Sequence, residues 1–299
     1  MRPAEEGFLL LTSRLGNPDR KILTAAQLRT LAARVRATEI SQENREMTVA
    51  DLMALGYSEA FSARVISLLE DQAQLEYYLA QGRRNGCHPL TRAGERYPLV
   101  VRKRLGEDSP GCLWAKGDLT LLETPMISVV GSRELNPQNR AFAEEAGRQA
   151  AKQGYTLVSG NARGADKAAQ DACLAAGGCV ISVVADSLCC HKEKEKILYL
   201  SEDGFDEAFS SQRALSRNRV IHTLGSVALV AQASLHVGGS WNGTVRNLQD
   251  CWSQVFCFAD GSFASQELQQ MGAFPVRLPD LQDLSALEKT ERSLFDTYK

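Results

Sequence analysis

From residue 126 onward the chain alternates short apolar runs with longer stretches of mixed polarity. Met126–Val130, Tyr155–Ser159, Cys179–Val184, Val227–Val230 and Val255–Phe258 are nearly continuous apolar runs rich in Val, Ile and Leu. Runs of this length predict strands buried on both faces of a parallel sheet. Between them, apolar residues recur at helical spacing over residues 137–153, 166–176, 216–224 and 244–251. Gly154 and Gly177-Gly178 close the first two stretches, as glycine does just past a helix end. The alternation predicts an α/β fold, a Rossmann-like doubly wound, mainly parallel sheet.

Upstream the pattern changes. Residues 1–86 read as a small helical N-terminal domain, with helical spacing over 25–35, 48–55 and 61–79. Thr48 is placed as an N-cap, with Asp51 in the first turn. Leu55-Gly56-Tyr57 between two helices is similar to the joint of a small helical DNA-binding module, a pattern that more often marks an ordinary helix–helix turn. Residues 87–125 form a joining segment, broken at Pro89 and Pro98 and carrying a short strand at Cys112–Ala115. The Rossmann-like domain then extends over 87–280. Residues 281–299 form a helical tail, with a helix near 284–298.

Charge narrows the functional classes. The net charge is −2, so a nucleic-acid site must come from local clustering of arginine and lysine. One such cluster, Arg83, Arg84, Arg92, Arg96, Arg102, Lys103 and Arg104, reads either as a solvated surface or as the flank of a nucleic-acid groove. No apolar run approaches the roughly 20 residues that span a bilayer, and the N-terminus lacks a signal-peptide core. A cytoplasmic protein without a membrane role is expected. The eight cysteines include no Cys-x-x-Cys pair and read as reduced thiols. Cys189-Cys190-His191 suggests a metal only superficially, because adjacent cysteines do not both reach one tetrahedral ion easily and no second ligand pair follows. Neither metal nor cofactor is expected.

The chemistry concentrates at three turns. Gly131 follows a strand directly, where a tight turn brings backbone N–H groups near an anion. Ser132 adds a hydroxyl and Arg133 a fork for phosphate. A second turn, Ser159-Gly160-Asn161-Ala162-Arg163-Gly164-Ala165-Asp166, lies at the same sheet edge. There Arg163 is placed to meet an anion, and Asp166 is read as the N-cap of the next helix. The third, Ser216-Arg217-Asn218-Arg219, opens a helix, with Arg213 four residues upstream on a shared face. Such a face suits a row of phosphates. Gly238-Gly239-Ser240 reads as a loop, in which Trp241 either stacks on a base or packs internally. Neither Gly-x-Gly-x-x-Gly nor a Gly-Lys-Ser/Thr loop occurs here, which disfavours NAD and a P-loop ATPase.

Several of these motifs occur in one order. Tyr97-Pro98, Leu113-Trp-Ala-Lys-Gly117, Val130-Gly-Ser-Arg133, Val158-Ser-Gly160, Ala162-Arg-Gly164 with Asp166, Ala176-Gly-Gly178 and Arg217-Asn-Arg219 together resemble the DprA/Smf family of DNA-processing proteins. The resemblance covers roughly residues 87–276. It implies a homodimeric protein that binds single-stranded DNA along the sheet edge and helps load a RecA-type recombinase during DNA uptake and recombination, without catalysis. It implies backbone contacts by Gly131, Ser132, Arg133, Ser159, Gly160, Arg163, Arg217, Asn218 and Arg219. Gly164, Arg213, Gly239 and Ser240 complete the expected phosphate-binding set. The sequence departs from the family pattern at Asn161, Ala165, Gln232 and the 238–244 loop. The alternative is a nucleotide sensor or a phosphoribohydrolase-like enzyme of the related Rossmann group, as in defence signalling. Against the enzyme, no acid follows Thr244 where those hydrolases carry a glutamate.

Overall fold

The computed structural model describes residues 1–38 and 46–289. They divide into two compact units. The smaller comprises Met1–Tyr97, Pro110–Trp114 and Glu202–Glu207; the larger comprises Pro98–Ser109, Ala115–Ser201 and Ala208–Lys299.

The smaller unit carries helices α1 (Pro3–Thr12), α2 (Ala25–Arg36), α3 (Val49–Ala54), α4 (Glu59–Glu70) and α5 (Gln72–Arg84), then strand β1 (Cys87–Thr91). Leu23, Leu31, Leu52, Val65 and Leu68 form the core of its helical part. Thr48 caps α3 as expected: its Oγ1 accepts from Asp51 N at 3.3 Å while Asp51 Oδ2 accepts from Thr48 N at 2.8 Å. The single helix expected over 61–79 is two, because the chain turns at Asp71, whose carboxylate pairs with the buried guanidinium of Arg20. Tyr57 packs inside the unit, stacked on Phe61 at 4.7 Å with the Arg34 guanidinium 4.6 Å from its ring centre. Tyr78, Trp114 and Phe205 form an aromatic cluster with centroids 4.7–5.3 Å apart.

The larger unit begins with α6 (Leu99–Leu105), a helix within the segment read as irregular. Arg104 anchors it by donating to the carbonyls of Thr223, at 2.8 Å, and Gly225. Strand β2 (Cys112–Gly117) runs from one unit into the other. Then follow β3 (Met126–Val130), α7 (Pro137–Lys152), β4 (Thr156–Ser159), α8 (Ala165–Ala175), β5 (Cys179–Val184), β6 (Ile197–Glu202), α9 (Ser211–Ser216), α10 (Asn218–Leu224), β7 (Val227–Val230), α11 (Gly238–Asp250), β8 (Gln254–Phe258), α12 (Phe263–Gln270), β9 (Phe274–Val276) and α13 (Leu284–Glu288). The strand order is β6-β5-β4-β3-β7-β8-β9, with every neighbouring pair parallel. This is the doubly wound α/β architecture read from the sequence. The order reverses at β3, which has β4 on one side and β7 on the other. Such a switch point opens a crevice beyond the C-terminal ends of the strands.

Ile127, Val129, Leu157, Val180, Val227 and Leu229 from the strands pack with Phe142, Ala146, Ala169 and Cys173 from α7 and α8. Alanines on both helices let them lie close to the sheet. The described part of the tail ends with α13; the rest of the helix expected near 284–298 falls outside the described residues. No helix among the described residues is long and apolar enough to cross a membrane.

Candidate nucleic-acid interface

The loops after β3, β4 and β7 and the start of α11 enclose a cleft of about 510 Å³ at the switch point. A second hollow of about 300 Å³, beyond the ends of β4 and β5, shares Arg133, Ala162, Arg163, Ala214 and Arg217 with it. The two form one groove over the sheet edge.

The first two turns are locked together by their backbones. Ala165 N donates to Ser132 O at 3.1 Å. Gly164, at φ 92°, sits so close beneath the carbonyls of Ser132 and Arg133 that a side chain there would meet both. A Cβ on Gly131 would lie 2.6 Å from Ala165 Cβ and 3.3 Å from Gln232. These glycines serve close approach of backbone to backbone. Asn161 holds the left-handed conformation at φ 57°, which asparagine tolerates better than most residues.

Gln232, one of the departures from the family pattern, ties the first turn to the end of β7. Its carbonyl accepts from Ser132 N at 2.9 Å and from Ser132 Oγ at 3.3 Å. Its side chain donates to Glu134 O at 3.1 Å and accepts from Asn136 N at 3.2 Å. The Ser132 amide and hydroxyl expected to face an anion are thus directed at Gln232.

The arginines differ in environment. Arg133 is exposed, lines both hollows and forms no ion pair among the described residues. Arg163 is exposed and donates to Glu134 Oε1 at 3.0 Å. Arg217, only 7% exposed, lies against Gly160 and 3.8 Å from Asp166 Oδ2. Burial pushes the Asp166 carboxyl above the usual aspartate range, against the opposing pull of Arg217 and of the Ala162 amide. Asp166 is not the N-cap of α8: Gly164 takes that place, and Asp166 accepts from Ala162 N at 3.2 Å in the first turn. The interlock with Ser132 starts the helix one residue before the expected point.

Ser159 is fully buried, its hydroxyl donating to Val129 O at 2.7 Å. Asn218 lines the cleft and donates to Gly239 O at 3.0 Å. Gly239 and Ser240 line it too, as the first turn of α11. The expected Gly-rich loop is helical from Gly238, because packing against Asn218 and α10 offsets the low helix propensity of glycine. Trp241 is 5% exposed, edge-on to His236 at 5.1 Å, so of its two readings the structure takes internal packing. Arg213 and Arg219 do not line the groove. Arg213 donates to the carbonyls of Ala185 at 2.8 Å and Ala208 at 3.0 Å and to Ser201 Oγ at 2.7 Å, binding the ends of β5 and β6 to α9. Arg219 is half-buried on α10. Cys189 and Cys190 are exposed, and His191 faces Asp186 at 2.9 Å. Sequence pattern marked Gln232 only as a departure from the family, and it did not reveal the buried His222, which lines the cleft.

The switch-point cleft sets three arginines against two carboxylates, Glu134 and Asp166, at the place where a doubly wound fold binds its ligand, and Asp186 adds a third carboxylate in the outer hollow. The model of the family of DNA recombination-mediator protein A matches residues 88–273, more than half of the chain. The chain belongs to this family. It is similar to DNA processing protein DprA of Streptococcus pneumoniae, 34% identical over 141 residues, 44% of this chain and 50% of that one. It is 29% identical to DprA of Bacillus subtilis over 171 residues, 53% and 57% of the two chains. The chain thus matches about half the length of these curated relatives. Among solved structures, DprA from Streptococcus pneumoniae superposes with a TM-score of 0.68 at 24% identity, covering 91% of this chain and 99% of the other. DprA from Helicobacter pylori, described for its single-stranded DNA binding mode, gives 0.56 at 24% identity over 69% and 97%. These two likenesses bear on the fold.

Proposed function

We propose that the chain binds single-stranded DNA through its phosphates along this groove, without reading sequence, and acts as a recombination mediator that helps load a RecA-type recombinase, working in the cytoplasm as a homodimer. The observation that carries the binding step is the exposed Arg133 beside the partly engaged Arg163, both lining a groove whose floor holds Arg217. A row of guanidinium groups at a sheet edge fits the spaced charges of a strand. Family membership, and the printed description of the Helicobacter pylori relative, support the same reading. No catalytic step belongs to it: the acids at the cleft, Glu134 and Asp166, both face arginines.

The test is fluorescence anisotropy of a labelled dT oligomer, against duplex DNA and thymidine 5′-monophosphate, at several salt concentrations. Tight single-strand binding that falls linearly on a log–log salt plot is expected. A salt-insensitive complex, or binding of the mononucleotide alone, rules this reading out and favours a nucleotide sensor.

A further inference from the structure

Beneath the groove, three side chains from α10, α11 and the loop before β8 form one buried chain of hydrogen bonds. Asn247 Oδ1 accepts from the backbone N–H of Ser253 at 2.9 Å. A backbone amide only donates, so this contact fixes which end of the Asn247 side chain is oxygen. The Nδ2 end therefore donates, to Ser253 Oγ at 3.0 Å and to His222 Nδ1 at 3.0 Å. Ser253 Oγ closes the chain by donating to the His222 carbonyl at 2.8 Å. An Nδ1 that accepts carries no proton, so the imidazole is neutral with its hydrogen on Nε2. Burial acts the same way, pushing the His222 pKa down to about 4.

That Nε2–H has no hydrogen-bond partner among the described residues, although His222 is 1% exposed and lines the cleft. It reaches the cleft because α11 presents glycine, one turn apart, toward α10. A Cβ on Gly243 would lie 3.3 Å from His222 Nε2, and one on Gly239 would lie 3.0 Å from Asn218 Nδ2. The first turn of α11, with Gly239 and Ser240 in the cleft wall, has no side-chain cap on its N–H groups. An uncapped helix start favours an anion, and an N–H in the cleft wall that no protein group meets is open to an acceptor on a ligand.

We propose that His222 contacts the ligand directly, donating its Nε2–H to a phosphate oxygen of a nucleotide seated at the first turn of α11. The inference rests on the reading that the groove receives nucleotide phosphate. The arginines supply long-range attraction. The fixed imidazole adds direction without adding charge, and Asn247 and Ser253 are positioning residues that hold its tautomer. A phosphate ester within a strand and one on a mononucleotide share this chemistry.

The test is NMR of the ¹⁵N-labelled imidazole in the full chain, titrated with a dT oligomer, thymidine 5′-monophosphate and inorganic phosphate, beside affinities of H222Q and H222L. The Nε2–H resonance is expected to shift with the oligomer or the mononucleotide while the tautomer stays unchanged. H222Q, whose amide nitrogen can take the place of Nε2, is expected to stay within about threefold of the parent chain, and H222L to lose about tenfold. An Nε2 resonance unmoved at saturating oligomer, or an H222L chain that binds as the parent does, overturns the proposal and leaves strand binding standing. A resonance that moves with the mononucleotide in a chain that does not bind the oligomer supports His222 and sinks the strand reading. Failure to bind any of the three probes sinks both.

Discussion

Arg217 lies against the bare α-carbon of Gly160, and any side chain at that position would occupy the space of its guanidinium. The same guanidinium faces Asp166 at 3.8 Å, both side chains being almost wholly buried. Gly160 is thus a packing surface for a buried charge and makes no polar side-chain contact of its own.

Gly160→Ala should therefore drive Arg217 off its seat. Overpacking of this kind costs about 1–3 kcal/mol. Calorimetry should show a thermal midpoint several degrees lower, and single-strand affinity should fall with it. An unchanged midpoint would mean that Arg217 moves freely and is not a fixed part of the groove.

Arg133→Ala removes an exposed fork that packs against nothing essential. Strand binding should weaken by about 1–3 kcal/mol, equally for different base compositions, and the salt slope should drop by about one. Stability should hold. Loss of affinity for one sequence only would contradict backbone recognition.

Glu134→Gln should act in the opposite direction. The Arg163–Glu134 pair is exposed on both sides, at 75% and 88%, and such pairs contribute at most about 1 kcal/mol. Removing the carboxylate releases Arg163 and removes a repulsion from the phosphates. Oligomer affinity should rise by about twofold to fivefold, with a steeper salt dependence, in the same anisotropy titration.

His222 links stability to pH. Its pKa lies at about 4 in the folded chain against an ordinary 6.5. Between those values the unfolded chain takes up a proton that the folded chain refuses, so the contribution is complete above 6.5 and is lost as pH falls toward 4. The interval corresponds to about 3 kcal/mol. Urea midpoints measured across this window should fall for the parent chain and fall much less for H222Q. Parallel curves would show that the imidazole is not buried neutral.

Much of this architecture could be read from the sequence because parallel strands buried on both faces leave unbroken apolar runs. Met126–Val130 and Cys179–Val184 are strands at the stated bounds. Strand Ile197–Glu202 and helix Phe263–Gln270 escaped. The first follows a polar stretch of lysines and glutamates that gives no turn signal, and the second has too few apolar positions to show a period. In the groove, Arg133 and Arg163 stood out because arginine in a glycine-flanked turn has little packing duty. Arg213, placed by its four-residue spacing from Arg217, binds carbonyls instead, since only the tertiary fold decides where a guanidinium points. His222, Asn247 and Ser253 are spread over 31 residues and have no local pattern linking them. The spacing of Gly239 and Gly243, which lets the imidazole through, reads in isolation as a flexible loop.

The order of the strands also sets a length. The loops that build the groove follow β7, β3, β4 and β5, which are consecutive in the sheet. Neighbouring strands lie about 4.8 Å apart, so the four ends span roughly 14 Å. A duplex strand rises about 3.4 Å per phosphate along its axis and a straighter single strand spaces its phosphates more widely, so the span holds at most about four nucleotides. The groove of one chain is therefore short, and a longer strand laid along it would extend beyond its ends.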